Sequence, residues 1–319
     1  MNNRRLDFKV AAAFAAIYLL WGSTYLAIRF AIETTPPLLM AGARFLIAGT
    51  VLYAWVRARG APRPTWQHWI AASTVGGLLL LCGNGSVVWA EQDVPSGIAA
   101  LLVATVPLWM VLFDWLRPGG TRPGGTVIAG IALGFGGLVL LVQPGSFGGR
   151  AVDPIGAATL TAGSIAWAAG SIYSTRARLP APLVATAMEM LAGGALLIIV
   201  GAIGGEFAGF DPRAVSPRSA GALLYLVVFG SLIGFSAYIW LLGVVSPSRV
   251  STHAYVNPIV AVMLGWALAG EPLTARTILA AMVIIGAVVL ITMGGTRPAE
   301  EREAEDDELD SELARLSGR

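Results

Sequence analysis

In 319 residues the sequence has one lysine, one cysteine and two histidines. Each scarcity closes off a chemistry. Because Lys9 is the only lysine, the interior of the chain offers neither a phosphate-loop lysine nor a Schiff-base lysine, and GxGxxG, GxSxG and HExxH patterns are absent. Cys82 has no second cysteine to pair with. His68 and His253 lie in different regions, and His, Cys, Asp and Glu do not cluster at metal-ligand spacing. These absences argue against an enzyme, an ATP-driven pump in this chain alone and a metal carrier. No metal or other cofactor is expected, and no nucleic-acid partner. Charge is scarce too, at 13% of residues, and it gathers in short connections and at the chain ends.

What remains is apolar: 56% of the residues are hydrophobic. Ten apolar stretches follow one another, near 10–29, 37–56, 69–89, 96–115, 126–142, 155–175, 183–204, 220–242, 250–269 and 275–293. Each approaches the roughly 20 residues that a helix needs to cross a hydrocarbon core about 30 Å thick. Helices are the open-ended way to satisfy the backbone in lipid, so the chain is predicted to be an all-α polytopic membrane protein with ten transmembrane helices. The first run follows Arg4, Arg5 and Lys9 like a signal peptide, but its length and its polar aromatic motif mark it as a retained span.

Basic residues orient the bundle. With the N-terminus cytoplasmic, eleven Lys/Arg fall on inside segments and five on outside ones, so both termini are expected to be cytoplasmic. Trp55, Trp66, Trp69, Trp89, Trp115 and Trp240 stand near span ends, as interfacial anchors do.

The chain also repeats itself. "WGSTYLAIR" at 21–29 returns as "WAAGSIYSTR" at 167–176, and "PLLMAGARFLIAG" at 37–49 returns as "PLVATAMEMLAGG" at 182–194. "PSGIAALLVATVPLW" at 95–109 returns as "PSRVSTHAYVNPIV" at 247–260, and "TVIAGIALGFGGLVLL" at 126–141 as "TILAAMVIIGAVVLIT" at 277–292. Five crossings per copy is an odd number, so the second copy enters in the opposite sense and the two are expected to be inverted repeats. The expected organisation is a cytoplasmic segment 1–9, a first five-helix repeat 10–143, an inverted second repeat 154–294 and an acidic, disordered cytoplasmic tail 295–319.

These blocks, together with "NGSVVWAEQDVPSGIAALLVATVPLW", "SPSRVSTHAYVNPIVAVMLGW" and "GEPLT", resemble the drug/metabolite transporter superfamily, EamA type, and within it the YedA-type bacterial permeases. The resemblance spans residues 10 to 294 and rests on many blocks in order. It implies a ten-helix secondary carrier of small organic molecules in the bacterial inner membrane, with export of amino-acid-like or amphipathic compounds as the first expectation. Uptake of a sugar or other metabolite is the alternative, and a non-transporting receptor or scaffold the remote one.

Arg44 and Glu189 are the leading cavity candidates. Each is seven residues into its helix, counted from Pro37 and Pro182, so one repeat slot holds a cation and its counterpart an anion. A charge at the centre of a span costs at least ~2.5–3.5 kcal/mol and normally faces a bundle interior. Seven residues put each ~10 Å below its own membrane face, and inversion puts those faces on opposite sides. Arg44 is expected to attract a carboxylate, and Glu189 to hold an ammonium group or a coupling proton. The alternative for both is a packing role with the charge neutralised by a neighbour.

Trp21, Ser23, Thr24 and Tyr25, matched by Trp167, Ser171 and Tyr173, pair aromatic faces with hydroxyl tips suited to ring-bearing or cationic ligands. Ordinary packing with back-bonded hydroxyls competes with that reading. Pro107 and Pro258 mark kinks or gates; Thr105 stands before the first, and His253, Tyr255 and Asn257 before the second. Asn84 lies between Gly83 and Gly85, where it either bonds across helices or meets substrate. "GIALG" and "GSLIG" read as small-residue packing faces. The fifth and tenth stretches, nearly without polar side chains, are expected to meet lipid or a second copy in a homodimer.

Overall fold

The computed structural model describes residues 3–116, 122–142, 153–242, 244–245, 250 and 252–295. The acidic tail after residue 295 and the loop residues Arg117, Arg150 and Arg249 lie outside the described residues.

Among the described residues the regular structure is helical. In chain order it comprises α1 (Asn3–Ala31), α2 (Pro37–Ala58), α3 (Trp66–Ala90), α4 (Ser96–Leu116) and α5 (Gly125–Val142). It continues with α6 (Pro154–Ser174), α7 (Pro182–Ile203), α8 (Pro217–Tyr238, extended to Leu242), α9 (His253–Ala269) and α10 (Ala275–Gly295). Eight are long and apolar enough to cross a membrane; α5 and α9 are shorter apolar helices.

Helix starts follow local chemistry. Proline opens α2, α6, α7 and α8, where its missing N–H costs nothing. Thr65, Asp153 and Ser216 cap α3, α6 and α8 with side-chain oxygens. The first turns of α2 and α4 have no such local cap. A distant carboxylate serves each: Glu206 accepts from the Leu38 and Leu39 amides at 3.1 and 2.9 Å, and Glu271 from the Ser96 and Gly97 amides at 2.8 and 3.0 Å. The end of α7 is thereby tied to the start of α2, and the turn after α9 to the start of α4. Helix macrodipoles favour negative charge at both places.

Glycine lets the longest packings close. A Cβ at Gly42 would fall on Ile198 and the Gly194 carbonyl, and one at Gly49 on Met190 and the Ala187 carbonyl. As α2 advances its partner recedes, so α2 and α7 run antiparallel at backbone contact. α5 and α10 pair the same way, with Gly130 against Ala287 and Ile291 and Gly137 against Val283 and Ile284. "GIALG" therefore packs as expected.

The connections gather at two ends. At one, Glu206 and Glu271 make their caps, Thr34 bonds the Ser216 amide at 3.0 Å, and Arg218 pairs with Glu33 at 3.2 Å. At the other, Leu52, Val56, Ala61, Trp69, Leu179 and Leu183 join the α2–α3 and α6–α7 connections in one apolar cluster. Between the ends lies the main core, including Ile28, Phe45, Val88, Ile98, Leu160 and Leu197. Of the six tryptophans read as anchors, Trp69 packs on Tyr53 and the other five are exposed.

Two turns depart from α geometry. Gly77–Asn84 in α3 and Leu226–Ile233 in α8 are π-helical, the wider winding that recurs at functional sites. α4 is interrupted between Val103 and Val106, just before Pro107, whereas α9 runs unbroken through Pro258.

Candidate substrate site

Arg44 is only 4% exposed. Its Nε donates to Ser231 Oγ at 2.9 Å, in the π-helical turn of α8. Gly230 makes the approach possible, since a Cβ there would stand 3.1 Å from Arg44 Nη2. Nη1 is buried without a hydrogen-bond partner, and no carboxylate among the described residues pairs with this guanidinium. A buried cation with an unused donor is an anion-seeking group.

Around the same turn α1 contributes its aromatic motif. Trp21 Nε1 donates to the Gly230 carbonyl at 3.1 Å, and the indole fits against Gly234, which has no Cβ to obstruct it. Its ring meets Phe235, Tyr238 and His253 at centroid distances of 5.4, 5.2 and 5.2 Å. Thr24 back-bonds to the Trp21 carbonyl at 2.6 Å and places its methyl on Gly230. Ser23 and Tyr225 share a hydrogen bond of 2.7 Å. Tyr18 bonds Thr252 at 2.6 Å, and the His253 ring nitrogen Nδ1 pairs with the Val250 carbonyl at 2.9 Å. With its amide turned to match its acceptors, Asn257 donates to the His253 and Tyr18 carbonyls at 3.2 and 3.3 Å.

Beside Ser23 and Tyr225 a groove of about 410 Å³ opens between α1, α8 and α9, walled by Leu26, Phe30 and Leu264, with Arg218 at its rim. That guanidinium lies 3.7 Å over the Phe30 ring.

The other candidates stand apart from this cluster. Trp167 packs on Gly83, Ser171 back-bonds to the Trp167 carbonyl at 2.8 Å, and buried Thr105 to the Leu102 carbonyl at 2.6 Å. Tyr173 is exposed. Tyr255 packs with Leu108, Val127 and Val288, while Tyr25 is half-buried against the main core. Asn84 keeps a buried, unpartnered side-chain oxygen. Glu189 is half-buried on α7, its backbone tight against Gly76. The structure thus brings Trp21, Thr24 and Arg44 together on one turn, with Ser23, His253 and Asn257 nearby.

Residues absent from the sequence reading complete the cluster: Ser231, Phe235, Tyr238 and Tyr18. Ser231 sits inside "GSLIG", where two glycines drew attention to packing, and its partner is 187 positions away.

A bundle of apolar helices enclosing an aromatic, hydroxyl-lined turn and a buried arginine without a carboxylate partner among the described residues defines a polytopic membrane protein with a polar interior. The chain belongs to the EamA-like transporter family, whose model matches residues 9–143 and 154–293. It is 46% identical over 285 residues to the inner membrane transporter YedA of Escherichia coli K12, covering 88% of this chain and 90% of that protein. The transporter YvbV of Bacillus subtilis 168 is 25% identical over 288 residues, covering 89% and 91%. A solved crystal structure matches with a TM-score of 0.62 at 24% identity, covering 91% of this chain and 99% of the other, a likeness of fold.

Proposed function

We propose that this protein is a secondary carrier that exports small metabolites bearing a carboxylate, of amino-acid-like or amphipathic character, across the bacterial inner membrane by alternating access. The observation that carries the reading is Arg44, buried over the Phe45 ring without a carboxylate partner among the described residues yet held in aim by Ser231. A ligand carboxylate would supply the charge that Nη1 lacks, while Trp21, Phe235 and Tyr238 offer aromatic faces beside it. Glu189, half-buried on α7 and without a side-chain hydrogen bond among the described residues, is assigned the ammonium end of a zwitterion on its way through.

The scaffold we propose is two inverted five-helix repeats with both termini cytoplasmic. Three reciprocal features support it. Gly49 meets the Ala187 carbonyl and Leu191 amide, while Gly194 meets the Gly42 carbonyl and Leu46 amide; the aligned copies equate 42 with 187, 46 with 191 and 49 with 194. Trp21 rests on Gly234, directly after the α8 π-turn, and Trp167 on Gly83 within the α3 π-turn. Antiparallel α2–α7 and α5–α10 pairs fit an axis in the membrane plane, the arrangement that supports alternating access. The exposed faces of α5 and α10, with Leu133, Val139 and Met282, are suited to lipid.

The test is a thermal-shift screen of purified protein against amino acids, sugars, nucleosides and cationic dyes, followed by flux of each hit in proteoliposomes. Carboxylate-bearing hits that move across the bilayer support the reading; stabilisation by carboxylate-free compounds alone rejects it.

A further inference from the structure

A second charge cluster, at the Glu271 end of the bundle, has no part in the carrier reading above. Glu271, 8% exposed, accepts from the Ser96 amide, the Ser96 hydroxyl at 2.8 Å and the Gly97 amide, and faces Arg29 Nε at 3.9 Å. Close by, in the turn after α3, Glu91 is 1% exposed, and neither of its carboxylate oxygens has a hydrogen-bond partner. Charged and titratable groups reach Glu91 from two packed elements: Glu271 from the α9–α10 turn, and Arg29 and Tyr25 from α1.

The charge balance is short by one. Two carboxylates face one arginine, and that arginine is directed at Glu271. Glu271 is saturated with donors, whereas Glu91 has none. An ionised carboxylate buried without donors beside a second negative charge is expensive, and the group takes up a proton instead. Burial first, and the Glu271 charge second, push the Glu91 carboxyl well above the usual carboxylate range, and Arg29 pulls it back only in part.

We propose that Glu91 is a proton-binding site: its carboxyl holds a proton at neutral pH while this end of the bundle is closed, and gives it up to water when the end opens. In that step the carboxyl O–H bond breaks, the proton passes to water, and the electron pair stays on Glu91. The new carboxylate then competes with Glu271 for Arg29. Because Arg29 and Glu271 join α1 to the starts of α4 and α10, and α1 carries Trp21, proton release loosens the clamp at this end and is felt in the substrate cluster. The coupling rests on the carrier reading; the proton site itself does not.

The test is infrared spectroscopy of full-length protein in lipid nanodiscs, titrated with pH and with no ligand present. The wild type is expected to show a protonated-carboxyl C=O stretch at neutral pH that shifts in D2O, persists in Glu189→Gln and vanishes in Glu91→Gln. Removing the positive charge with Arg29→Gln should carry this band to higher pH. The proposal is overturned by a neutral-pH spectrum unchanged in Glu91→Gln, by an Arg29→Gln midpoint that does not rise, or by loss of the band when sodium or potassium replaces choline, which would mark a metal-cation site. The band is read without transport, so failure of the carrier reading would leave this result standing, and transport without the band would sink this proposal alone.

Discussion

Arg44 and Ser231 meet across the α2–α8 contact at 2.9 Å, and the hydroxyl is the one hydrogen-bond acceptor seen for that guanidinium among the described residues. The bond aims the arginine at the opened turn of α8 without neutralising it. A carboxylate neighbour would have satisfied Arg44 and left nothing for a ligand; a serine holds it and leaves the charge free.

If this bond positions the guanidinium, Ser231→Ala should weaken binding of carboxylate ligands without abolishing it. A hydrogen bond to a charged group is worth about 1.5–3 kcal/mol, so dissociation constants should rise roughly 10- to 150-fold, measured by titration calorimetry on the hits of the thermal-shift screen. Ligands without a carboxylate should bind as before.

Glycine substitutions separate close contact from open space. Gly234→Ala would place a methyl carbon 2.4 Å from Trp21 Nε1, displacing the indole and its bond to the Gly230 carbonyl. Thermal unfolding should show a loss of about 1–3 kcal/mol, the usual cost of overpacking, together with impaired flux. Gly136→Ala meets nothing within 4 Å in a helix interior and should raise stability by roughly 0.5–1 kcal/mol.

The distant caps should prove unequal. Glu206→Ala frees two amides at the start of α2 and should cost about 0.5–2 kcal/mol, as loss of a helix cap does. Glu271→Ala strands two buried amides and a hydroxyl and also leaves Arg29 beside Glu91, so its melting temperature should fall further. Differential scanning fluorimetry of both variants in one detergent makes the comparison.

Glu91 sets a pH dependence with a definite sign. Its carboxyl holds a proton more tightly folded than unfolded, so its contribution to stability is complete below the ordinary carboxylate range and is lost as pH rises toward the raised folded value. Glu91→Gln imitates the protonated form. Melting temperatures of wild type and variant should therefore agree near pH 4 and separate as pH rises, with the variant the more stable; about pH 4 is the ordinary carboxylate value.

Much of this was written in local patterns. Apolar run length marked the helices, "GIALG" marked a packing face, and the slot shared by Arg44 and Glu189 singled out a residue the structure buries at a helix contact. The motif blocks pointed to the family that the chain belongs to. What stayed hidden depends on distant partners. Ser231 acquires its role from a residue 187 positions earlier, and Glu271 caps a helix that starts 175 positions before it. Glu91 sits in "WAEQ" at a span end, where a carboxylate ordinarily faces water; its burial comes from tertiary packing that brings Glu271, Arg29 and Tyr25 around it. The π-helical turns leave no periodic trace, because the same apolar residues wind equally well as α.

The most direct measurement is counterflow in proteoliposomes, comparing wild type with Arg44→Ala reconstituted at equal density and loaded with a mixed pool of amino acids and their carboxylate-free amines. The account predicts that the wild type exchanges carboxylate-bearing compounds, that Arg44→Ala loses this exchange, and that any carrier-mediated amine exchange survives. Equal loss of both classes, or undiminished carboxylate exchange in the variant, would contradict it.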